Sequence, residues 1–530
     1  MRTVELYDTT LRDGMQGEGL SLSAEEKLRV AQRLDGLGMA FVEAGFPASN
    51  PKEEELFALL AANPLSHAAV AAFGMTRRKG MEPGDDISLR VVADSGAPVA
   101  TIVGKTWALH LEKVVKVDPA ENLSMIRDSI QFLSTGGQRV VYDAEHFFDA
   151  WREDRDYSLL CLAAAVEGGA ESLVLCDTNG SSLPNQVHEA VAGVVAQFGG
   201  QVKVGVHCHN DLECGVANSL AGVDAGAVHV QGTMNGIGER CGNANLVSIA
   251  ANLELKLGIH CLPEGHIAQL TEAAHFVDEI CNRTPNPHQA YVGRSAFAHK
   301  GGMHVAGVME DARTFEHLEP GTVGNQRELL VGELSGKGTL QARAERMGIA
   351  LDDATASQLV EHVKEKEHEG YHYEAADASL QLLILKETGD FVPLFELESW
   401  RVIVEKAASD GVRTEATVKV IVDGQRHVST AEGNGPVNAL DRALRSAVGA
   451  VHPELADIDL VNFKVRILDE NRGTDSVTRV LLDASDGETV WGTTGVSANV
   501  IEASWDALVD SLDFGMQEAL GKPEDTAGNG

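Results

Sequence analysis

The residues best suited to chemistry fall in two short segments. Near the N-terminus runs Asp8-Thr9-Thr10-Leu11-Arg12-Asp13-Gly14, and far downstream runs His207-Cys208-His209-Asn210-Asp211. Side chains alternate faces along a strand, so histidines two apart at a strand end project to one side and Cys208 to the other. Two neighbouring imidazoles are a nitrogen donor pair. A carboxylate from another strand end would begin the coordination sphere of a divalent cation. An isolated HxH serves equally well as one core and one surface histidine. Where the segments fall among the elements that carry them separates these cases.

Short apolar runs alternate with amphipathic segments through the first half of the chain. Strands are predicted at 4–7, 41–44, 69–73, 99–103, 139–142, 172–176, 203–207 and 227–231. Helical periodicity lies between them, for instance at 24–37, 119–134, 159–167 and 183–198. The first of these helices is preceded by Ser23 with Glu26 three residues on, a capping-box spacing. Strands alternating with helices imply parallel βα units, and eight of them over about 250 residues match a closed (β/α)8 TIM barrel. A doubly wound open sheet is the alternative, because strand count alone does not establish closure. In a barrel the chemistry sits at the C-terminal strand ends. Polar clusters occur at nearly all of those ends here: Asp8 to Asp13, Glu43, Arg77-Arg78-Lys79, Lys105, Asp143 and Glu145, Asp177-Thr178-Asn179, His207 to Asp211, and Gln231 to Asn243. One shared active site is the reading that accounts for all of them.

At 530 residues the chain exceeds what one core supports. The expected division is a catalytic barrel over 1–267, helical linker subdomains over 268–400, a C-terminal α+β domain over 401–520 and a flexible tail over 521–530. In the C-terminal part, strands are expected at 414–422, 425–431, 464–468, 478–484 and 488–494, with helices at 437–448 and 500–512. This duplicated β-then-α unit lacks a catalytic-looking cluster and suggests a ligand-binding or dimerising module. The net charge of −36 disfavours nucleic acid and anionic membrane as partners, while an anionic substrate needs a locally positive pocket. Seven cysteines scattered through apolar segments fit reduced thiols in a cytoplasmic protein. No apolar stretch of about 20 residues marks a membrane span.

The segments DTTLRDGMQ, LSAEEK, FVEAGFPASNP, HCHND, NGIGERCGNANL and SAFAHKGGMHVAG together resemble the pyruvate-carboxyltransferase-like family of metal-dependent barrels. Within it the chain is similar to the 2-isopropylmalate, homocitrate and citramalate synthases. YDAEHFFDAW and GMTRRK resemble the citramalate type, which condenses acetyl-CoA with pyruvate on the way to isoleucine. The resemblance implies metal ligands Asp13, His207, His209 and Asn243, a set suited to Mn2+, Mg2+ or Zn2+. It implies that Arg12 stabilises charge on the keto oxygen, with an ordinary salt-bridge role as the alternative. Glu145 and His304 are its catalytic acid–base candidates, His304 arriving on a Gly-rich mobile segment, often across a homodimer. Relatives often carry Tyr where this chain has Phe315.

Tyr142, three residues ahead of Glu145, is expected to face the barrel mouth and leave room for little more than a methyl group; a packed barrel aromatic is the alternative. Thr178 is a candidate for the substrate carboxylate. Arg77, Arg78 and Lys79 would meet the CoA phosphates or form a solvated loop. Residues 401–520 resemble the family's regulatory, dimerising domain, and the resemblance implies binding of an end-product amino acid, with isoleucine expected as inhibitor and leucine as the alternative. Competing activities are the sister synthases, a metal-dependent lyase or aldolase on the same barrel, and an amino-acid sensor with a vestigial barrel. The duplicated C-terminal module argues against the lyase.

Overall fold

The computed structural model describes residues 2–47, 49–332, 335–407, 411–468 and 476–521. Eight parallel strands form a closed barrel: β1 (Glu5–Asp8), β2 (Phe41–Gly45), β3 (Ala69–Met75), β4 (Val99–Lys105), β5 (Arg139–Glu145), β6 (Ser172–Asp177), β7 (Lys203–Cys208) and β8 (His229–Gly232). Closure is made by β8 pairing with β1, Glu5 opposite His229 and Asp8 opposite Gly232, which removes the open-sheet alternative. The strands extend one to three residues beyond most predicted ends, so Lys105, Glu145 and Asp177 are strand residues rather than loop residues.

Strand period sets the two layers. Tyr7, Phe41, Ala71, Val99, Val141 and Val174 fill the barrel interior. Their neighbours Leu6, Val42, Ala72, Ala100, Tyr142 and Leu175 point outward into the layer shared with the helices. Helix Ala24–Leu37 shows how that outer layer is built. Ser23 and Glu26 form the reciprocal capping box, with Glu26 N–H donating to Ser23 Oγ at 3.2 Å and Ser23 N–H to Glu26 Oε2 at 2.7 Å. Val30, Ala31, Leu34 and Leu37 then bury one face, each large aliphatic side chain contributing about 1.5–3 kcal/mol.

By internal contacts the chain forms two compact units, Met1–Phe297 with Leu318–Arg327, and Ala298–His317 with Glu328–Gly530. In the second unit, helices Lys337–Arg346, Asp353–Glu369 and Asp377–Thr388 share a core of Leu340, Leu359, Val363, Leu380 and Ile384. Two antiparallel three-stranded sheets follow. The first is β9 (Glu396–Ala407), β10 (Gly411–Val422) and β11 (Gln425–Gly433), and the second is β12 (Asp459–Ile467), β13 (Thr478–Ser485) and β14 (Val490–Ser497). Each is succeeded by a helix, Pro436–Val448 and Val500–Gly521. The repeat is therefore three strands and a helix, not two strands and a helix. The first sheet begins at Glu396, ahead of the expected change of pattern near 401, because β9 is an edge strand whose Leu397, Ile403 and Val404 are half exposed and break the inside–outside alternation. The expected tail over 521–530 lies, apart from Gly521, outside the described residues. Among the described residues no helix is long and apolar enough to cross a membrane. All seven cysteines are free.

Candidate active site

The loop after β1 is built by its own first half. Buried Asp8 accepts from the Thr10 amide at 2.8 Å and the Thr10 hydroxyl at 3.0 Å, and the Thr10 hydroxyl in turn accepts from the Met234 amide at 2.9 Å. Burial outweighs these donors and pushes the Asp8 carboxyl up to about 7. The loop so fixed delivers Arg12 and Asp13 to a cavity of about 270 Å3 at the C-terminal strand ends, which His207, His209, Glu145 and Thr178 also line.

Arg12 donates from Nε to Glu43 Oε2 at 2.7 Å, lies 3.3 Å from Asp13 Oδ2, and has its guanidinium 4.0 Å from the centre of the Phe73 ring. Glu43 is fully buried on β2 and also accepts from the Tyr7 hydroxyl at 3.0 Å. Burial opposes the Arg12 charge, but Glu43 and Asp13 outweigh it and hold the guanidinium protonated. Burial likewise opposes ionised Asp13, and Arg12 followed by His207 reverses the sign, holding that carboxyl well below its usual range.

Asp13 Oδ2 lies 3.2 Å from His207 Nε2 and 4.0 Å from His209 Nε2, and one ligating atom from each of the three residues falls within 4.8 Å of the others. Burial works against a charge on His207, yet the contact with Asp13 raises its affinity for a proton. His209, desolvated and beside His207, is pushed down to about 4. Both imidazoles must be neutral to ligate, so a cation seated between them and the Asp13 carboxylate would displace any proton that Asp13 draws onto His207. His207 Nδ1 is 2.8 Å from Gln231 Oε1, and Gln231 Nε2 donates to Asp143 Oδ1 at 3.0 Å. A proton on Nδ1 leaves the Nε2 lone pair aimed at Asp13 and the cavity. Burial, then Glu43, pushes the Asp143 carboxyl up to about 7.

Asn243 opposes His209 in an isolated backbone bridge. Its Nδ2 donates to the Ile237 carbonyl at 3.3 Å, while its Oδ1 is buried with no hydrogen-bond partner among the described residues. A buried, unpaired amide oxygen on the residue bridged to His209 fits a metal ligand, because leaving it unpaired costs about 1–3 kcal/mol. Gly238 makes this seat possible: a Cβ there would sit 2.3 Å from Asn243 Nδ2, and its φ of +155° is one that side-chain-bearing residues rarely adopt. The donor set therefore fits a divalent cation.

Glu145 ends β5 opposite Lys105 of β4, and the two side chains form an ion pair. The Thr178 hydroxyl accepts from the His146 amide at 2.9 Å, and the Thr178 carbonyl accepts from Arg240 at 2.8 Å. Arg240 is also paired with Asp211 at 2.8 Å. Sequence reasoning placed Glu43, Lys105, Asp143 and Gln231 at strand ends without giving them roles. Their signal is period: each lies an even number of residues from an inward-facing neighbour. Arg240, on an irregular loop, carries no such signal.

Two expectations are corrected. Tyr142 is fully buried and faces away from the mouth, packing against Gly104 and the helix layer at Ile126. Residues three apart on a strand occupy opposite faces, so a Tyr142 that shared the face of Glu145 was excluded by strand geometry. Arg77 is buried between Glu121 and Asp128, each at 2.8 Å, and a guanidinium neutralised twice is no open phosphate receptor; Arg78 and Lys79 are exposed. His304 lies on a helix, Gly302–Glu310, with Gly301 as its extended N-cap. Its exposed ring stacks on Phe315 at 4.2 Å, an aromatic that supplies a face and no hydroxyl.

The chain matches an HMGL-like family model over residues 3–277, a homocitrate synthase post-HMGL domain-like model over 291–370 and a LeuA allosteric (dimerisation) domain model over 374–516. It is 46% identical over 518 residues to an (R)-citramalate synthase of Streptomyces coelicolor, with 97% of each chain covered. It is 46% identical over 524 residues to that of Synechocystis sp., covering 97% of this chain and 96% of the other. With that of Aquifex aeolicus the identity is 45% over 512 residues, covering 96% and 97%. A closed barrel with its polar strand ends gathered on one cavity, likeness sustained from end to end, and three consecutive family matches agree: the chain belongs to the (R)-citramalate synthase family of HMGL-like enzymes.

Proposed function

We propose that the chain condenses acetyl-CoA with pyruvate and hydrolyses the resulting thioester, releasing (R)-citramalate and CoA. The observation that carries this reading is the convergence of Asp13, His207 and His209 beside Arg12 and Glu145 in one cavity. Asp13, His207, His209 and Asn243 would hold a divalent cation (Mn2+, Mg2+ or Zn2+), which when bound supplies Lewis-acid polarisation of a keto carbonyl. Arg12, oriented by Glu43 and Phe73, stabilises negative charge on the pyruvate keto oxygen as the new carbon–carbon bond forms. Glu145, positioned by Lys105, takes a proton from the acetyl methyl group. His304 is the second acid–base group of this reading, and the Thr178 hydroxyl orients the substrate carboxylate. Phe73, Met75 and Val103 line the cavity and take over from Tyr142 as the size filter that admits a methyl group. Arg78 and Lys79 are left as the basic residues of their loop for CoA phosphates.

The same reading makes the chain a cytoplasmic homodimer. Its barrel runs to residue 267, linker subdomains to 400 and a regulatory domain to 520, which binds isoleucine as a feedback inhibitor. The match to a LeuA-type domain and the duplicated sheet-and-helix module support that part. Thiol release from acetyl-CoA, measured with a panel of 2-oxo acids and a divalent metal, tests the activity. Pyruvate is expected to lead the panel; a preference for 2-oxoisovalerate or 2-oxoglutarate would instead assign a sister synthase.

A further inference from the structure

A second group of metal-ligating side chains borders the same cavity. One ligating atom each from His110, Glu145 and His146 lies within 4.8 Å of the others. The two imidazole centroids are 4.2 Å apart, and Trp107 stacks on His110 at 5.6 Å. His146 has φ 54°, a left-handed conformation that costs a residue with a side chain about 1–3 kcal/mol and gathers at functional sites. It turns the chain from β5 into helix Phe147–Glu153 while keeping the ring buried next to Glu145.

The ring is also oriented. His146 Nδ1 lies 3.3 Å from Asp149 Oδ2, and Asp149 is itself held by Asn179 at 3.0 Å and by Arg152. A proton on Nδ1 shared with a carboxylate leaves the Nε2 lone pair free, the usual posture of a metal-bound histidine. His110 Nδ1 is buried without a hydrogen-bond partner among the described residues. Glu145 meets Lys105 through Oε2, which leaves Oε1 for another partner.

We infer that His110, Glu145 and His146 form a second divalent-cation site, separate from the one on Asp13, His207 and His209. Two imidazoles and one carboxylate suit a borderline ion such as Zn2+, with water in the fourth position. An ion there engages the Glu145 carboxylate, so its occupancy slows turnover. That consequence, unlike the binding itself, rests on Glu145 being the base.

Equilibrium dialysis of the full-length protein against Zn2+ reads the site without turnover. Two ions per chain are expected for the wild type, one for H110A and one for H207A. Should alanine disturb the stack on Trp107, H110Q repeats the measurement with a side chain of similar bulk. One ion per chain in the wild type, or two in a folded His110 variant, would overturn the site. Adding Zn2+ to the Mn2+-loaded enzyme should slow the wild type at least about fivefold more than the His110 variant, each relative to its own zinc-free rate. Equal slowing would overturn the coupling to Glu145. Undiminished turnover in E145Q would remove Glu145 as base and leave the stoichiometry standing.

Discussion

Arg12 is held from three directions at once: by the carboxylate of Glu43, by Asp13 and by the face of Phe73. A planar fork satisfies these geometries together, whereas an ammonium keeps the charge but makes fewer directed contacts. R12K should therefore lower kcat by about a hundredfold, the scale of one lost electrostatic stabiliser, while changing KM for pyruvate much less. Steady-state kinetics separate the two; a variant with raised KM and intact kcat would place Arg12 in ground-state binding only. Asn243 gives a second expectation at this scale. G238A puts a Cβ against its amide and forces a disfavoured φ, so divalent-metal affinity, read by titration, should fall at least about tenfold with the barrel still folded.

At the scale of the element, alternation explains both what the sequence made legible and what it hid. His207 and His209, two apart at a strand end, were readable as a pair because period 2 is all the inference required. Tyr142 was misplaced by ignoring the same rule over three residues. Arg77 lay beyond any local rule, since its partners Glu121 and Asp128 come from the helix after the next strand. The half-exposed edge strand β9 lacked the apolar alternation that marked β10, and was missed for that reason. Helix Val500–Gly521 carries a pH-dependent feature of its own. Burial, with Glu502 and Asp510 adding repulsion, pushes the Asp506 carboxyl up to about 6 from its ordinary 3.8. A carboxyl that binds its proton more tightly when folded supports the fold below its unfolded pKa and loses that support as pH rises through the folded value. The wild type should thus lose more melting temperature than D506N between about pH 4 and pH 7. Parallel curves for the two proteins would show that Asp506 titrates normally.

For the molecule as a whole, the net charge of −36 faces a highly anionic cosubstrate. The cations at the mouth do little to offset it at long range, because Lys105 is paired with Glu145, Arg12 with Glu43 and Arg240 with Asp211. Repulsion acting over about 10 Å is screened by salt. KM for acetyl-CoA should accordingly fall, by about twofold, as ionic strength rises from about 10 mM to about 150 mM. The opposite trend would reveal a local attractive patch, with Arg78 and Lys79 the first residues to mutate.

The Asp8 carboxylate never reaches the cavity, yet it ties together the turn on which Arg12 and Asp13 ride. A mutational survey that scored only dead enzymes would file Asp8 among the chemical participants. Its loss would in fact be architectural: two functional groups misplaced by one missing clasp, with every reacting side chain still present.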